Sequence, residues 1–272
     1  MTDQRERYDR IADGYARWWG PIIAPAALRA LDEVSDDVAA GATQLLDVGT
    51  GTGTLAIAAI RRWPTVEVTA IDASSGMVAK ARAEANRLLG RRDRARLHLK
   101  VAFADELDLA DASIDIAVSS FVLQLVPNRF RALREVARVL RPGGAFGWVS
   151  WLAGSMHWYP DDDFDDALVD VGEEPREWDD RPGDVPDPAA AAAQMRRAGY
   201  RDVRAEAGRL VHPFAVDEVV GFLTEFDEED LVTSLGSKRD QFEAALRRRL
   251  RRRSRRDLAL DHRTVTVRGV RG

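Results

Sequence analysis

With 272 residues, 45% of them hydrophobic, and a formal net charge of −5, the chain is long enough for one well-buried domain and has no general attraction to nucleic acid. Cysteine is absent, which excludes disulfides, thiolate metal sites and cysteine nucleophiles, and no run of about 18 apolar residues marks a membrane span. The charged start Gln4-Arg5-Glu6-Arg7 has no leader-like apolar stretch behind it, so a cytoplasmic protein with no membrane partner is expected.

Residues 8–19 precede the first strand and carry four aromatics, Tyr8, Tyr15, Trp18 and Trp19. A helix is expected near Ala26 to Val34. Then comes Leu45-Leu46-Asp47-Val48-Gly49-Thr50-Gly51-Thr52-Gly53-Thr54, an apolar strand, glycines at every second position, and an apolar helix over 54–62. Such a strand–turn–helix offers bare backbone and a helix N-terminus to a ligand. A Cβ in the turn would hold the ligand off, and turn positions with φ > 0 favour glycine. The third glycine, Gly53, comes one residue too early for a dinucleotide fingerprint. Asp47 would also repel a pyrophosphate. A nucleoside with a positive tail fits both departures.

A second strand, 66–71, ends at Asp72. In a βαβ unit this sets a second carboxylate beside the glycine turn, at the edge where open sheets bind ligands. Asp72 is suited to a ribose diol, or alternatively to capping the helix that begins near Ser74-Ser75. A helix over 75–89, strands over 96–101 and 114–119, a helix over 128–139, the turn Pro142-Gly143-Gly144 and a strand over 145–151 complete an alternation that argues for a parallel, doubly wound α/β sheet.

Beyond residue 151 the pattern loosens. Residues 152–187 are rich in Asp, Pro, Gly and Trp with little periodicity. A helix over 189–198, a weak edge strand over 202–211, a helical stretch over 216–256 and an alternating strand over 263–268 follow. The segments 152–187 and 216–256 follow strand ends on the ligand side and are expected to form a substrate lid. Of four histidines, His157 lies just past a strand end and is the candidate general base, with a non-catalytic lid histidine as the alternative. His98 and His262 are expected to be structural. Trp18, Trp19, Trp151, Trp158 and Tyr159 point to an apolar or aromatic acceptor, or to a cation held by ring faces. The run Arg247–Arg256 suits either a phosphate-rich partner or a solvated helix face.

Taken together, the glycine turn, Asp72, the run Ala112–Gln124 and the run Ala132–Gly144 with its Pro-Gly-Gly turn resemble the class I S-adenosylmethionine-dependent methyltransferases, and in pattern most nearly the quinone and natural-product C- and O-methyltransferases. The resemblance implies a Rossmann-like, mostly parallel seven-stranded sheet of order 3-2-1-4-5-7-6, in a single domain over 1–272 with an N-terminal helical lid over 1–40. It implies S-adenosyl-L-methionine as cofactor, with Asp47, Gly49, Thr50, Gly51 and Gly53 around its methionine part, Asp72 on the ribose, Ala73 and Met77 against the adenine, and Tyr15 near the methionine end. Ser119 and Phe121 at the fourth strand's end also fall in the cofactor set. Where the family usually has Gly-Asp-Ala, this chain reads Val101-Ala102-Phe103-Ala104-Asp105, so Phe103 replaces the acid near the adenine amino group. Either Asp105 substitutes for it, or Phe103 and Ala104 hold the ring by stacking and backbone bonds. Trp19, Gln124, Trp151, Trp158 and Tyr159 are left for a small-molecule acceptor. No metal site is expected, and a nucleic-acid partner is disfavoured because the fourth strand ends Ser119-Ser120-Phe121-Val122 rather than in the Asn-Pro-Pro-aromatic signature of base amino-methyltransferases. Two alternatives stay open: non-methyl chemistry with the same cofactor, and an RNA- or ribosome-associated modifier recruited by the arginine run.

Overall fold

A computed structural model describes residues 4–154, 157–176 and 184–272. In chain order the helices are α1 (Gln4–Gly14), α2 (Gly20–Ala27), α3 (Arg29–Asp32), α4 (Ser35–Ala39), α5 (Thr54–Arg62), α6 (Ser75–Leu88), α7 (Arg91–Arg94), α8 (Arg129–Val139), α9 (Tyr159–Asp170), α10 (Pro188–Arg197), α11 (Val216–Phe222), α12 (Glu229–Ser234), α13 (Arg239–Leu250) and α14 (Arg255–Leu258). The strands are β1 (Gln44–Val48), β2 (Glu67–Asp72), β3 (Leu97–Val101), β4 (Ile114–Ser120), β5 (Leu140–Trp151), β6 (Tyr200–His212) and β7 (Leu260–Arg271).

The seven strands form one sheet in the order β3-β2-β1-β4-β5-β7-β6, as the resemblance implies. β1 to β5 pair in parallel and β7 runs antiparallel between β5 and β6. Parallel strands covered on both faces read as continuous apolar runs, and β1 shows why. Leu45 packs on the face covered by Ile22, Ala27, Ala30, Leu31, Leu55 and Ile60, while Leu46 packs on the face covered by Leu133, Val136, Ala191 and Met195. The helices are cut to length by their caps: Ser74 Oγ accepts the Met77 N–H, Asn128 accepts the Arg131 N–H, and Asp187 ahead of Pro188 accepts the Ala190 N–H.

Three expectations need correction. The stretch 1–40, expected to be a lid, contributes Ile22, Ile23, Ala26, Ala27, Ala30 and Leu31 to the core packed under the sheet. β5 begins at Leu140, so the Pro-Gly-Gly turn lies within it. The segment 152–187 contains the twelve-residue helix α9; its residues 155–156 and 177–183 lie outside the described ones. In α9, Phe164, Ala167 and Leu168, with Val171 at its C-terminal cap, recur at helical spacing and are buried, but the surrounding aspartates mask that period.

Those aspartates have partners. Asp163, 3% exposed, takes both nitrogens of a fork from Arg253 at 2.8 and 2.9 Å, and Arg249 bridges Asp166 and Asp170. Arg176 meets Asp161, Asp165 and Glu228. Arg249 and Arg253 of the arginine run therefore pair with α9, where a solvated arginine face or a phosphate-rich partner was expected. Bidentate arginine–carboxylate pairs suit such a partly buried seam.

Candidate functional site

The carboxyl ends of β1, β2 and β4 converge on the turn Gly49–Gly53. Gly49, Gly51 and Gly53 all have positive φ, at +72°, +54° and +90°. At Gly49 a side chain is excluded twice, since a Cβ would stand 2.2 Å from the Val122 side chain. At Gly51 the nearest atom to an added Cβ is Tyr15 Cε1 at 3.9 Å. Tyr15 begins a π-helical turn, Tyr15–Trp19, and its ring thus roofs the glycine bend. Burial raises its phenol pKa, with Tyr8 and Asp72 adding to the shift.

Asp47 is 1% exposed. Its Oδ2 accepts the Thr50 hydroxyl at 2.7 Å and the Ala56 N–H at 3.1 Å, while Oδ1 has no protein donor among the described residues. Burial pushes its pKa up to about 7, and the charge of Asp72 adds to the rise. Asp72 stands half-buried on the other side of the bend. It accepts the Gly51 N–H at 2.8 Å through Oδ2 and the Ser74 N–H at 2.9 Å through Oδ1. Ser74, and not Asp72, caps α6, which removes the capping alternative. Burial raises the Asp72 pKa as well. Two desolvated carboxylates within electrostatic reach destabilise an empty bend and favour a cationic, hydrogen-bond-donating occupant.

The other candidates distribute unevenly. Ala73 and buried Met77 lie at the start of α6 beside Asp72. Phe103 is 49% exposed in the turn after β3, where the Ala102 N–H donates to Asp72 O, and Ala104 and Asp105 are half-buried beyond it. Ser119 spends its hydroxyl on Val48 O at 2.7 Å, so it braces the β1–β4 tip. Phe121 adopts φ +54° and lies 4.1 Å from the Trp151 ring. Trp19 joins that cluster at 6.0 Å from Trp151, with Phe222 at 5.5 Å and Phe226 at 6.5 Å from Trp19. Trp158 is buried against Phe214 and Phe222 and donates its indole N–H to Leu258 O at 3.1 Å. Gln124 accepts the Ser150 hydroxyl at 2.8 Å.

Tyr159 and His157 are not brought into this cluster. Tyr159 is 41% exposed, and the His157 side chain, 55% exposed, is drawn to Asp162 in the first turn of α9 at 2.6 Å. Two other histidines reach the rings: His262 lies 5.5 Å from Trp151, because its position in β7 shares a sheet face with Thr264 opposite Trp151, and His212 lies 4.6 Å from Phe214. Four residues escaped the sequence reading. Val122 fills the space over Gly49, and Phe222 and Phe226 wall the aromatic cluster from a stretch read only as helical. Asp9 accepts the Gly76 N–H and the Ser74 hydroxyl, both at 2.7 Å, and so pins α1 to the N-terminus of α6. A carboxylate favours that position, and Asp9's pKa is lowered, chiefly by the Gly76 N–H.

Residues 45–144 match the family model of a methyltransferase domain. Over 113 residues the chain is 34% identical to a malonyl-[acyl-carrier protein] O-methyltransferase of Geobacter sulfurreducens, covering 42% of this chain and 40% of that one. Over 154 residues it is 33% identical to a ubiquinone/menaquinone biosynthesis C-methyltransferase of Syntrophotalea carbinolica, covering 52% and 58%. The chain thus spans about half the length of these relatives. Among solved structures, YcgJ of Bacillus subtilis superposes with a TM-score of 0.54 at 18% identity, over 88% of this chain and 98% of that one. The [4+2]-cyclase SpnF does so at 0.53 and 21% identity, over 89% and 82%. At such identities these two show the shared fold.

Proposed function

We propose that the chain, whose residues 45–144 match the family model of a methyltransferase domain, transfers a methyl group from S-adenosylmethionine to a small, apolar organic acceptor. The observation that carries this reading is the pair Asp47 and Asp72 across a bare, left-handed glycine bend roofed by Tyr15. The residues present fit the cofactor. Asp47 Oδ1 lacks a protein donor and suits an ammonium group, each Asp72 oxygen keeps a lone pair for a ribose hydroxyl, and Gly51 leaves open backbone beneath Tyr15. Met77, Ala73 and the Phe103–Asp105 turn would border the adenine. The chemistry supplied there is in-line displacement of a methyl from a sulfonium.

What remains for the chain is alignment, which accounts for about 7–11 kcal/mol of a barrier of this kind. Phe121, Trp151, Trp19 and Phe222 present ring faces next to the bend and exclude water, as an apolar acceptor requires. The relatives' quinone and malonyl-carrier acceptors are compatible with C- or O-methylation here. For an acceptor that must lose a proton, His262 replaces His157 as the base, since it alone of the two lies against Trp151.

Thermal melting tests the reading without a known acceptor. S-adenosylhomocysteine at 100 times its dissociation constant stabilises by about 2.7 kcal/mol, which moves the midpoint by roughly 2–4 °C per kcal/mol for a chain of this size. Asp72→Ala erases the shift. A shift with a nicotinamide dinucleotide and none with the sulfonium nucleoside or its product overturns the proposal. A product mass lacking an added methyl would redirect it to non-methyl chemistry at the same site.

A further inference from the structure

Eight of the ten residues from Arg247 to Arg256 are arginine. Four are spent inside the molecule: Arg247 on Asp217, Arg248 and Arg249 on Asp170, and Arg253 on Asp163. The other four, Arg251, Arg252, Arg255 and Arg256, are exposed and make no ion pair among the described residues. They sit on an ordered turn. Ser254 and Asp257 cap it reciprocally, with the Ser254 N–H donating to Asp257 at 3.0 Å and the Asp257 N–H to Ser254 Oγ at 3.3 Å. Holding like charges together opposes folding, and on the protein's side Asp257 and Asp261 offset part of it at Arg256.

Two exposed apolar side chains adjoin the turn. The Arg253 guanidinium lies 4.8 Å from the Tyr159 ring, which is 41% exposed. Val211, 53% exposed, is paired across β6 and β7 with Asp261, whose carboxylate is stabilised by Arg209 and, from further away, by Arg256. Cations flanked by an amphipathic ring and an aliphatic side chain match the headgroup layer of an anionic bilayer. One ring and no groove make a poor track for single-stranded nucleic acid.

We propose that the Arg251–Arg256 turn, with Tyr159 and Val211, is a docking surface for an anionic phospholipid bilayer. The contact is peripheral, since no helix among the described residues is long and apolar enough to cross a membrane; it replaces the expectation of no membrane partner, which rested on the lack of a spanning run and of a leader-like stretch. The turn is joined to the aromatic cluster through Leu258 O and the Trp158 indole.

Sedimentation of the full chain with vesicles tests this. Phosphatidylcholine vesicles containing phosphatidylglycerol pellet the protein at low salt, phosphatidylcholine alone does not, and high salt releases it. Arg251→Glu combined with Arg255→Glu lowers vesicle binding at least about tenfold, and Tyr159→Ser lowers it several-fold, with the melting midpoint of the double variant not lowered. The inference is overturned by equal binding of the double variant, by no binding to either vesicle, or by retention on single-stranded RNA that the double variant loses while vesicles are ignored. The S-adenosylhomocysteine melting shift is read on the same samples. Its presence without vesicle binding sinks only the docking surface, and its absence with vesicle binding sinks only the functional reading.

Discussion

The glycine bend and the α9–α13 seam, the lid of the proposed reading, solve opposite problems. Around Gly49–Gly53 the chain is bare, buried and charged without counter-ions, because Asp47 and Asp72 face each other across backbone. In the lid, aspartates and arginines in similar density cancel one another in forked pairs. Unpaired buried charge is held in place by the sheet's apolar faces and waits for a ligand; paired charge holds two helices together and waits for nothing. Charge alone thus does not mark a site, whereas charge left unmatched in a rigid frame does.

The sharpest way to break this contrast is Gly49→Ala. A Cβ at φ +72° and 2.2 Å from Val122 is expected to cost about 2–4 kcal/mol through strain and overpacking and to abolish nucleoside binding, read by denaturant melts and calorimetry. A Gly143→Ala control, at φ +82° with nothing near its Cβ, isolates the backbone part. Next comes Asp163→Ala, which strands Arg253 at the lid seam. A loss of about 2–4 kcal/mol is expected, and a double-mutant cycle with Arg253→Met recovers most of it. If the single variant costs under 0.5 kcal/mol, the lid is not held by its ion pairs.

A pH series distinguishes the two regions further. Asp47 is protonated more readily in the folded chain than in the unfolded one, with its pKa raised from 3.8 to about 7, so the folded state binds the extra proton and ligand-free stability falls as pH rises between those values. Affinity for the ammonium-bearing nucleoside moves the other way, growing through about pH 7 as the carboxylate ionises. Asp47→Asn flattens both trends; their persistence in the variant refutes the assignment. The smallest effect belongs to the α1 latch. Asp9→Asn is expected to cost about 1 kcal/mol and to quicken S-adenosylhomocysteine release several-fold in stopped-flow, with no such quickening on removal of the exposed Arg17–Glu225 pair.

The sheet, its strand order and the bend were legible because each depends on local pattern: Leu45 and Leu46 fill opposite faces, glycines stand where φ is positive, and Asp47 and Asp72 end adjacent strands. The lid was not legible, since Asp163 and Arg253 are ninety residues apart and either run alone reads as solvated. α9 was missed because Asp161, Asp162, Asp165 and Asp166 diluted the spacing of Phe164, Ala167 and Leu168. His157 lay beside a strand end in sequence, but Asp162 drew it outward, and the register of β7 brought His262 in instead.

Phe121 carries one more implication. A non-glycine residue in a left-handed conformation couples Val122, which stands over Gly49, to its own ring against Trp151. On the proposed reading, a nucleoside that displaced Val122 would re-aim that ring, so filling the first room would furnish the second. Tryptophan emission should then respond to S-adenosylhomocysteine with no acceptor added, and the response should shrink in Trp151→Phe.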